Sequence, residues 1–277
     1  LIFLLSAVFS QAPYRTGEEA FKLASFVLVF LATLYFCRGR SEVKMLCASL
    51  AVLGGALSVL GLLQYAGGFP RGWWHNPRFL SSVYVNHNHF AGFLEIVLPI
   101  SLGYCLAERG TAKKIFFLFL CALMGAAFFF TLSRGGLLSL GTAFLTMLFI
   151  LRSRGGTGVL GRTFLVLALL LMVALVAFGW EPVRERIMTF QHIQAEKEPL
   201  YRIEIWKSAL DLIARNFWFG SGPGTFEYAI LPFKSAGIPR PGHAHNDYIE
   251  LLADCGVFAF LAVLACYGAA LFKGLKI

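Results

Sequence analysis

The chain is divided into apolar segments of about the length that crosses a lipid bilayer. Eight such runs occur, at about residues 1–12, 20–37, 45–65, 89–107, 115–132, 137–151, 163–179 and 248–271. A helix needs about 20 apolar residues to span the hydrocarbon core, where only helices and closed barrels satisfy the backbone. Hydrophobic residues make up 58% of the chain, against about 45–50% in soluble domains. We therefore predict an all-α, polytopic membrane protein with about eight transmembrane helices.

Basic residues are concentrated in alternate loops, which predicts the orientation of these helices. If every run crosses the membrane, the loops at 38–44, 108–114 and 152–162 and the tail after 271 share one side. They contain eleven Lys and Arg against two Glu, which equals the whole formal charge of +9. Cytoplasmic loops carry the excess of Lys and Arg, so we assign this side to the cytoplasm. Topology thus accounts for the basic charge, and we predict no nucleic-acid partner.

The opposite side receives the longest polar segment, at 180–247, between the last two predicted spans. We predict a single membrane domain over 1–277, and we interpret the chain as a fragment because its first run begins at Leu1 without a signal-peptide pattern. The polar segment would be a large periplasmic loop within it. Residues 200–215 have the spacing of an amphipathic helix that lies on the bilayer or caps a bundle. Its apolar face holds Ile203, Trp206, Leu210 and Ile213, and Gly220-Ser221-Gly222-Pro223-Gly224 then predicts a turn.

A cluster of polar residues joins this loop to the last apolar run. Ionisable groups are costly beside lipid, so a cluster at the membrane face indicates function. His245 is the candidate general base, because an imidazole titrates near neutral pH and accepts a proton from an attacking hydroxyl. The structural alternative is a histidine that merely caps the next helix. Residues placed to orient the base or to face the substrate are His243, Asn246 and Glu250.

A second His-x-His pair lies in Asn86-His87-Asn88-His89, at the start of another predicted helix on the same side. We predict that Asn86, Asn88 and His89 cap this helix and face the substrate. The alternative is a zinc site formed by both histidine pairs with Asp247. No His-Glu-x-x-His motif or Cys-x-x-Cys pair supports it, so we predict that neither a metal nor a cofactor takes part.

Three arginines are candidates for binding phosphate. Arg134 lies between two apolar runs with Gly135 and Gly136 behind it. An arginine at bilayer depth is costly, and its planar fork suits two-point binding of phosphate oxygens. Arg202 and Arg240 are further candidates, and each could instead be a solvated charge. The tryptophans of the outer segments, Trp73, Trp74, Trp206 and Trp218, are interpreted as interfacial anchors.

These motifs, in this order, resemble the O-antigen ligase-like family of bacterial inner-membrane proteins. The family includes O-antigen ligases, O-antigen polymerases and pilin O-oligosaccharyltransferases, and the resemblance covers most of the chain beyond about residue 80. It depends on Asn86-His87-Asn88 with Ala91 and Pro99, Ser133-Arg134-Gly135-Gly136 with Leu138, Arg202 with Trp206, Phe219-Gly220-Ser221-Gly222-Pro223-Gly224-Thr225-Phe226, and His243-Ala244-His245-Asn246 with Gly256.

The resemblance implies a multi-pass glycosyltransferase with its active site on the periplasmic face. Its donor would be an undecaprenyl-diphosphate-linked oligosaccharide, and its acceptor a glycan, a lipid or a protein. In the family's ligases, a histidine of this motif is the proposed base and arginines hold the diphosphate. Those roles transfer to His245, Arg134 and Arg202. The chain departs from the fuller family pattern by having fewer helices.

Two other functions remain open at the level of sequence. A transporter of a small anion would use Arg134 and Glu95 as binding groups within the membrane. It should have broken helices and charges near mid-membrane, whereas here only Glu95 is deep and the polar cluster lies on the outer side. A scaffold of a glycan-assembly complex is the third possibility. The sequence does not distinguish ligase, polymerase and protein glycosyltransferase.

Overall fold

The protein is built from helices. The computed structural model describes residues 2–70, 72, 76–153, 197–235 and 239–276, and every regular element in these ranges is helical. The predicted helix at 163–179, together with Trp73 and Trp74, lies outside the described residues. The helices are α1 (Ile2–Val8), α2 (Pro13–Phe36), α3 (Arg40–Tyr65), α4 (His87–Ala107), α5 (Thr111–Phe130), α6 (Arg134–Ser153), α7 (Lys197–Arg215), α8 (Phe226–Ala229) and α9 (Asp247–Lys276), with a 3-10 turn at Leu231–Phe233.

Five of the described helices are long and apolar enough to cross a membrane. They are α2, α3, α4, α5 and the Asp247–Gly274 part of α9, while α6 contributes the shorter apolar stretch Gly135–Ile150. The predicted run at 1–12 forms only the seven-residue α1, which is about 10 Å long. The chain is therefore a multi-pass helical membrane protein.

The helices form two compact units. The terminal unit comprises Leu1–Thr33 and Glu181–Ile277, and the central unit comprises Leu34–Trp180. In the central unit, α3, α4 and α5 pack against one another and α6 packs against α4. In the terminal unit, α7 and α1 both pack against α9.

Small residues on α3 allow the helices of the central unit to approach closely. A Cβ atom at Gly54 would lie 2.6 Å from the Met124 sulfur, and one at Gly55 would lie 2.6 Å from Leu120 Cδ2. Helices in lipid gain little from the hydrophobic effect, so close packing of small residues carries much of their association. The interior they enclose includes the fully buried Phe90 and Leu94.

The apolar core of the terminal unit is centred on α7. Its buried members are Ile205, Ala209, Leu212, Ile213, Phe226, Ala229, Ile230, Ala244 and Ala253. The helix predicted at 200–215 is confirmed, but its core-facing stripe differs from the predicted face, because Ile203 and Leu210 are exposed. Apolar residues occupy two neighbouring stripes of α7, and contacts with α9 decide which one is buried.

The last helix, α9, is interrupted at Gly256, where φ is 76° and ψ is 179°. A break inside a transmembrane helix frees backbone groups that must find partners, since each unpaired group in hydrocarbon costs several kcal/mol. Residues 217–222, which include the start of the predicted turn, supply those partners. Three hydrogen bonds of 2.9 Å join the two segments: Ser221 N–H to the Ala253 carbonyl, Gly222 N–H to the Asp254 carbonyl, and Val257 N–H to the Phe217 carbonyl.

Candidate functional site

The histidine cluster forms an ordered loop, residues 239–246, that leads directly into α9. Asn246 caps the helix: its Oδ1 accepts hydrogen bonds from Tyr248 N–H at 3.1 Å and Ile249 N–H at 3.3 Å. Side-chain oxygens at this position satisfy the free N–H groups of a first turn. The structural alternative for His245 was helix capping, and the structure assigns that task to its neighbour. His245 itself is exposed and has a positive φ of 51°.

Glu250 contacts the loop from the first turn of α9. Its Oε1 lies 2.8 Å from His243 Nδ1, and its Oε2 accepts a hydrogen bond of 2.8 Å from Ala244 N–H. The His243 side chain is 74% exposed, whereas Glu250 is 24% exposed. A carboxylate only accepts hydrogen bonds, so His243 Nδ1 is the donor in this contact and its Nε2 points away from Glu250. His243, Asn246 and Glu250, which were predicted to orient the base or face the substrate, therefore lie in this loop or contact it from α9.

Trp206 reaches the same loop from α7. Its indole N–H donates a hydrogen bond of 2.8 Å to the Ala244 carbonyl, and its ring packs against the core of the terminal unit. The sequence predicted that Trp206 is an interfacial anchor. A hydrogen bond to a distant loop is visible only in the structure. Arg202 is exposed one helical turn before Trp206. Residues four apart lie on the same side of a helix, so this predicted phosphate ligand belongs to the side of α7 that reaches the histidine loop.

Arg240 is exposed, and its guanidinium contacts a carboxylate and an aromatic ring of the same unit. Its Nε lies 3.0 Å from Glu227 Oε1, and its guanidinium lies 4.6 Å from the centre of the Tyr228 ring. Arg15 of α2 also reaches this tyrosine, with its Nε 3.3 Å from the hydroxyl. The predicted binding of a diphosphate by Arg240 therefore requires this guanidinium to exchange or share its carboxylate partner.

In the central unit, Arg134 is the first residue of α6. Ser133 precedes it, and its Oγ accepts a hydrogen bond of 3.1 Å from Gly136 N–H. Ser133 thus lies in the turn into α6, and Leu132 before it has a positive φ of 53°. A helix N-terminus attracts anions through its free N–H groups and dipole. This location suits the phosphate-binding role predicted for Arg134.

The first turn of α6 contacts α4 closely because residue 136 is glycine. A Cβ atom there would lie 2.8 Å from Glu95 Oε1 and 3.2 Å from the Ala91 Cβ. The Glu95 carboxylate therefore lies beside the N-terminal turn of α6, where a negative charge is favourable.

The Asn86–His89 segment starts α4 in the same unit. Asn86 is the N-cap, because its Oδ1 accepts a hydrogen bond of 2.8 Å from Asn88 N–H, and this confirms the capping prediction for Asn86. Asn88 and His89 are exposed. His87 was a candidate ligand only in the zinc alternative, and in the structure its ring is held by a hydrogen bond and a stacking contact. Its Nδ1 lies 2.7 Å from the Thr131 carbonyl, and its ring stacks on Phe79 with 4.2 Å between centroids.

Within the described ranges, no group of three or more His, Cys, Asp or Glu residues is arranged to hold a metal ion. The alternative of a zinc site formed by both histidine pairs with Asp247 therefore has no preformed set of ligands in the described residues.

Comparison with known proteins decides the family. The model of the O-antigen ligase family matches residues 119–264, which is more than half of the chain. The chain belongs to the O-antigen ligase family. No curated protein and no solved structure matches it. Membership supports a general role in glycan transfer at a membrane.

The matched residues include Arg134 of the central unit. They also include the candidates of the terminal unit, which are Arg202, Arg240, His243, His245, Asn246 and Glu250. They do not include Asn86, Asn88 and His89. The sequence identified the histidine loop from its polarity, but it did not reveal Trp206 as a partner of that loop. An apolar residue four positions after an exposed arginine gives no such signal.

Proposed function

We propose that the protein transfers glycan from a polyprenyl-diphosphate-linked oligosaccharide, such as an undecaprenyl-diphosphate donor, to an acceptor hydroxyl. The observation that supports this most is the family match over residues 119–264, which contains both Arg134 and the exposed His245. The donor arrives with its leaving group attached, so the chemistry requires a base for the acceptor and cations for the diphosphate. The proposed site is at the periplasmic face of the bacterial inner membrane.

In the proposed reaction, the acceptor oxygen attacks the anomeric carbon while His245 takes the hydroxyl proton on a ring nitrogen. The bond from the anomeric carbon to the diphosphate oxygen breaks, and its electron pair leaves with the diphosphate. Positive groups that are already in place stabilise this developing charge at no cost in reorganisation. Arg134 at the N-terminus of α6 is proposed for that role, with Arg202 and, secondarily, Arg240 as further ligands.

The transporter alternative gains one observation and loses another. Transporters bind ions at discontinuous helices, and α9 is discontinuous at Gly256. However, the carbonyls of Ala253 and Asp254 before the break already accept hydrogen bonds from residues 221 and 222. These carbonyls are therefore used within the fold, and glycan transfer remains the better supported function.

The test uses a strain of the source bacterium that lacks the protein. Its membranes should accumulate a polyprenyl-diphosphate-linked glycan, and adding the purified full-length protein to them should consume it. Replacing His245 with Ala should abolish transfer while membrane insertion stays normal, because the proton acceptor is lost. Lys207→Ala is the control, since this exposed lysine pairs with Glu204 of its own helix at 2.9 Å. Transfer at the normal rate by the His245→Ala protein would show that another group is the base.

A further inference from the structure

We propose that Trp206 is a positioning residue which, together with Glu250, holds the Ala244 backbone and thereby sets the orientation of His245. This inference depends on the role proposed above for His245 in glycan transfer. It assigns to α7 a task beyond packing, because the residue that determines the orientation of the base would lie 39 positions before it in the sequence.

Both backbone polar groups of Ala244 are bonded to side chains from different helices. Its N–H donates to Glu250 Oε2 on α9, and its carbonyl accepts from Trp206 Nε1 on α7, each at 2.8 Å. The Ala244 residue is completely buried. A buried peptide group that loses its partner is destabilised by its full desolvation penalty. Glu250 therefore holds the peptide group before Ala244, and Trp206 holds the one between Ala244 and His245.

The carbonyl bonded by Trp206 belongs to the peptide plane that ends at the His245 nitrogen. Fixing this plane fixes the start of the φ rotation of His245, which is 51°. Few residues other than glycine adopt positive φ, and such strain persists only where surrounding contacts enforce it. The Trp206 hydrogen bond and the Asn246 cap enclose His245 on both sides, so an exposed imidazole is held on a constrained backbone.

Packing alone does not explain the choice of tryptophan at this position. Trp206 is half-buried, and a phenylalanine would supply a similar apolar ring to the core. Only the indole has an N–H donor for the carbonyl. By contrast, Trp218 is 59% exposed and stacks on Phe258 with 5.5 Å between centroids. The two tryptophans therefore form a matched pair, one that bonds the histidine loop and one that does not.

The experiment measures glycan transfer by the full chain. The donor is the lipid-linked glycan extracted from the strain that lacks the protein. Trp206→Phe should lower kcat about tenfold, because the Ala244 carbonyl next to His245 loses one hydrogen bond. The KM for the donor should change by less than about twofold, because the substitution removes no contact that binds the donor equally in the ground state and the transition state. Trp218→Phe should retain the kcat of the unmodified protein. Rates are normalised to the monodisperse protein fraction measured by size-exclusion chromatography.

Added imidazole separates a misplaced base from a damaged fold. It should restore part of the rate to His245→Ala and to Trp206→Phe, because both would lack a correctly placed proton acceptor. Glu250→Met, which removes the acceptor of Ala244 N–H, is the second variant and should behave in the same way if Trp206→Phe does not yield folded protein. A kcat within about twofold of the unmodified protein in the folded variant, or a loss that imidazole does not restore, would overturn the positioning role.

The outcomes also distinguish this inference from the proposed function. If the unmodified protein does not consume the lipid-linked glycan, the proposed function fails. If it does, and His245→Ala is inactive while Trp206→Phe is fully active, only the positioning inference fails.

Discussion

Polar side chains at the start of α9 divide structural and chemical tasks between neighbouring residues. Asn246 satisfies the first turn of the helix, and Glu250 bonds both His243 and the Ala244 backbone. His245, which has a positive φ, takes neither role: Asn246 is the helix cap, and Glu250 holds the loop. The sequence marks these residues as candidates, since histidines at a membrane face are costly. It was not sufficient to divide their tasks, because that division depends on hydrogen-bond directions set by the fold.

At the same scale, replacing Arg134 with Lys should reduce glycan transfer by about 10–100-fold, or about 1.4–2.7 kcal/mol of transition-state stabilisation. Lysine keeps the charge but loses the planar two-point contact with phosphate oxygens. Arg152→Lys is the control, because Arg152 lies in the last turn of the same helix. The measurement is the initial rate in membranes with equal amounts of inserted protein. Nearly normal transfer by Arg134→Lys would reduce this arginine to a topological anchor.

At the scale of elements, the apolar runs predict where helices lie better than they predict how the helices contact one another. The predicted runs at 89–107 and 115–132 correspond closely to α4 and α5. The run at 248–271 gave no sign of the break at Gly256, because that break is stabilised by backbone hydrogen bonds from residues 217–222, more than 30 positions away. Periodicity reports the local face of a helix, whereas such pairings are decided by the tertiary fold.

The break in α9 leads to a prediction about two glycines of the same helix. Gly256→Ala should destabilise the protein, since a Cβ there would collide with the Trp218 carbonyl and the backbone has φ 76° and ψ 179°. Non-glycine residues in this region cost about 1–3 kcal/mol before any collision is counted. Gly268→Ala is the control, because a Cβ at that position meets nothing within 4 Å. Thermal unfolding in detergent should show a lower midpoint for Gly256→Ala only, and equal midpoints would contradict the account of the break.

At the scale of the whole molecule, the alternation of charged loops predicts a topology that the helices by themselves do not specify. The basic loops at 38–44 and 108–114 are assigned to the cytoplasm, and the long polar segment at 180–247 to the opposite side. The proposed function depends on this assignment, because a periplasmic glycan transfer needs His245 on the outer face. Exposed residues on each side provide the means to test it.

Single cysteines at Ser235 and Thr111 should label differently in a background without the six native cysteines. Both positions are exposed, whereas a cysteine at the fully buried Ser221 would be hidden from reagent. In intact spheroplasts, a membrane-impermeant maleimide should react with Ser235→Cys and not with Thr111→Cys, because the second lies beside the cytoplasmic loop at 108–114. Permeabilised cells are the control, in which both cysteines should react. The reverse pattern in intact cells would place the histidine loop in the cytoplasm, where the proposed transfer at the periplasmic face could not occur.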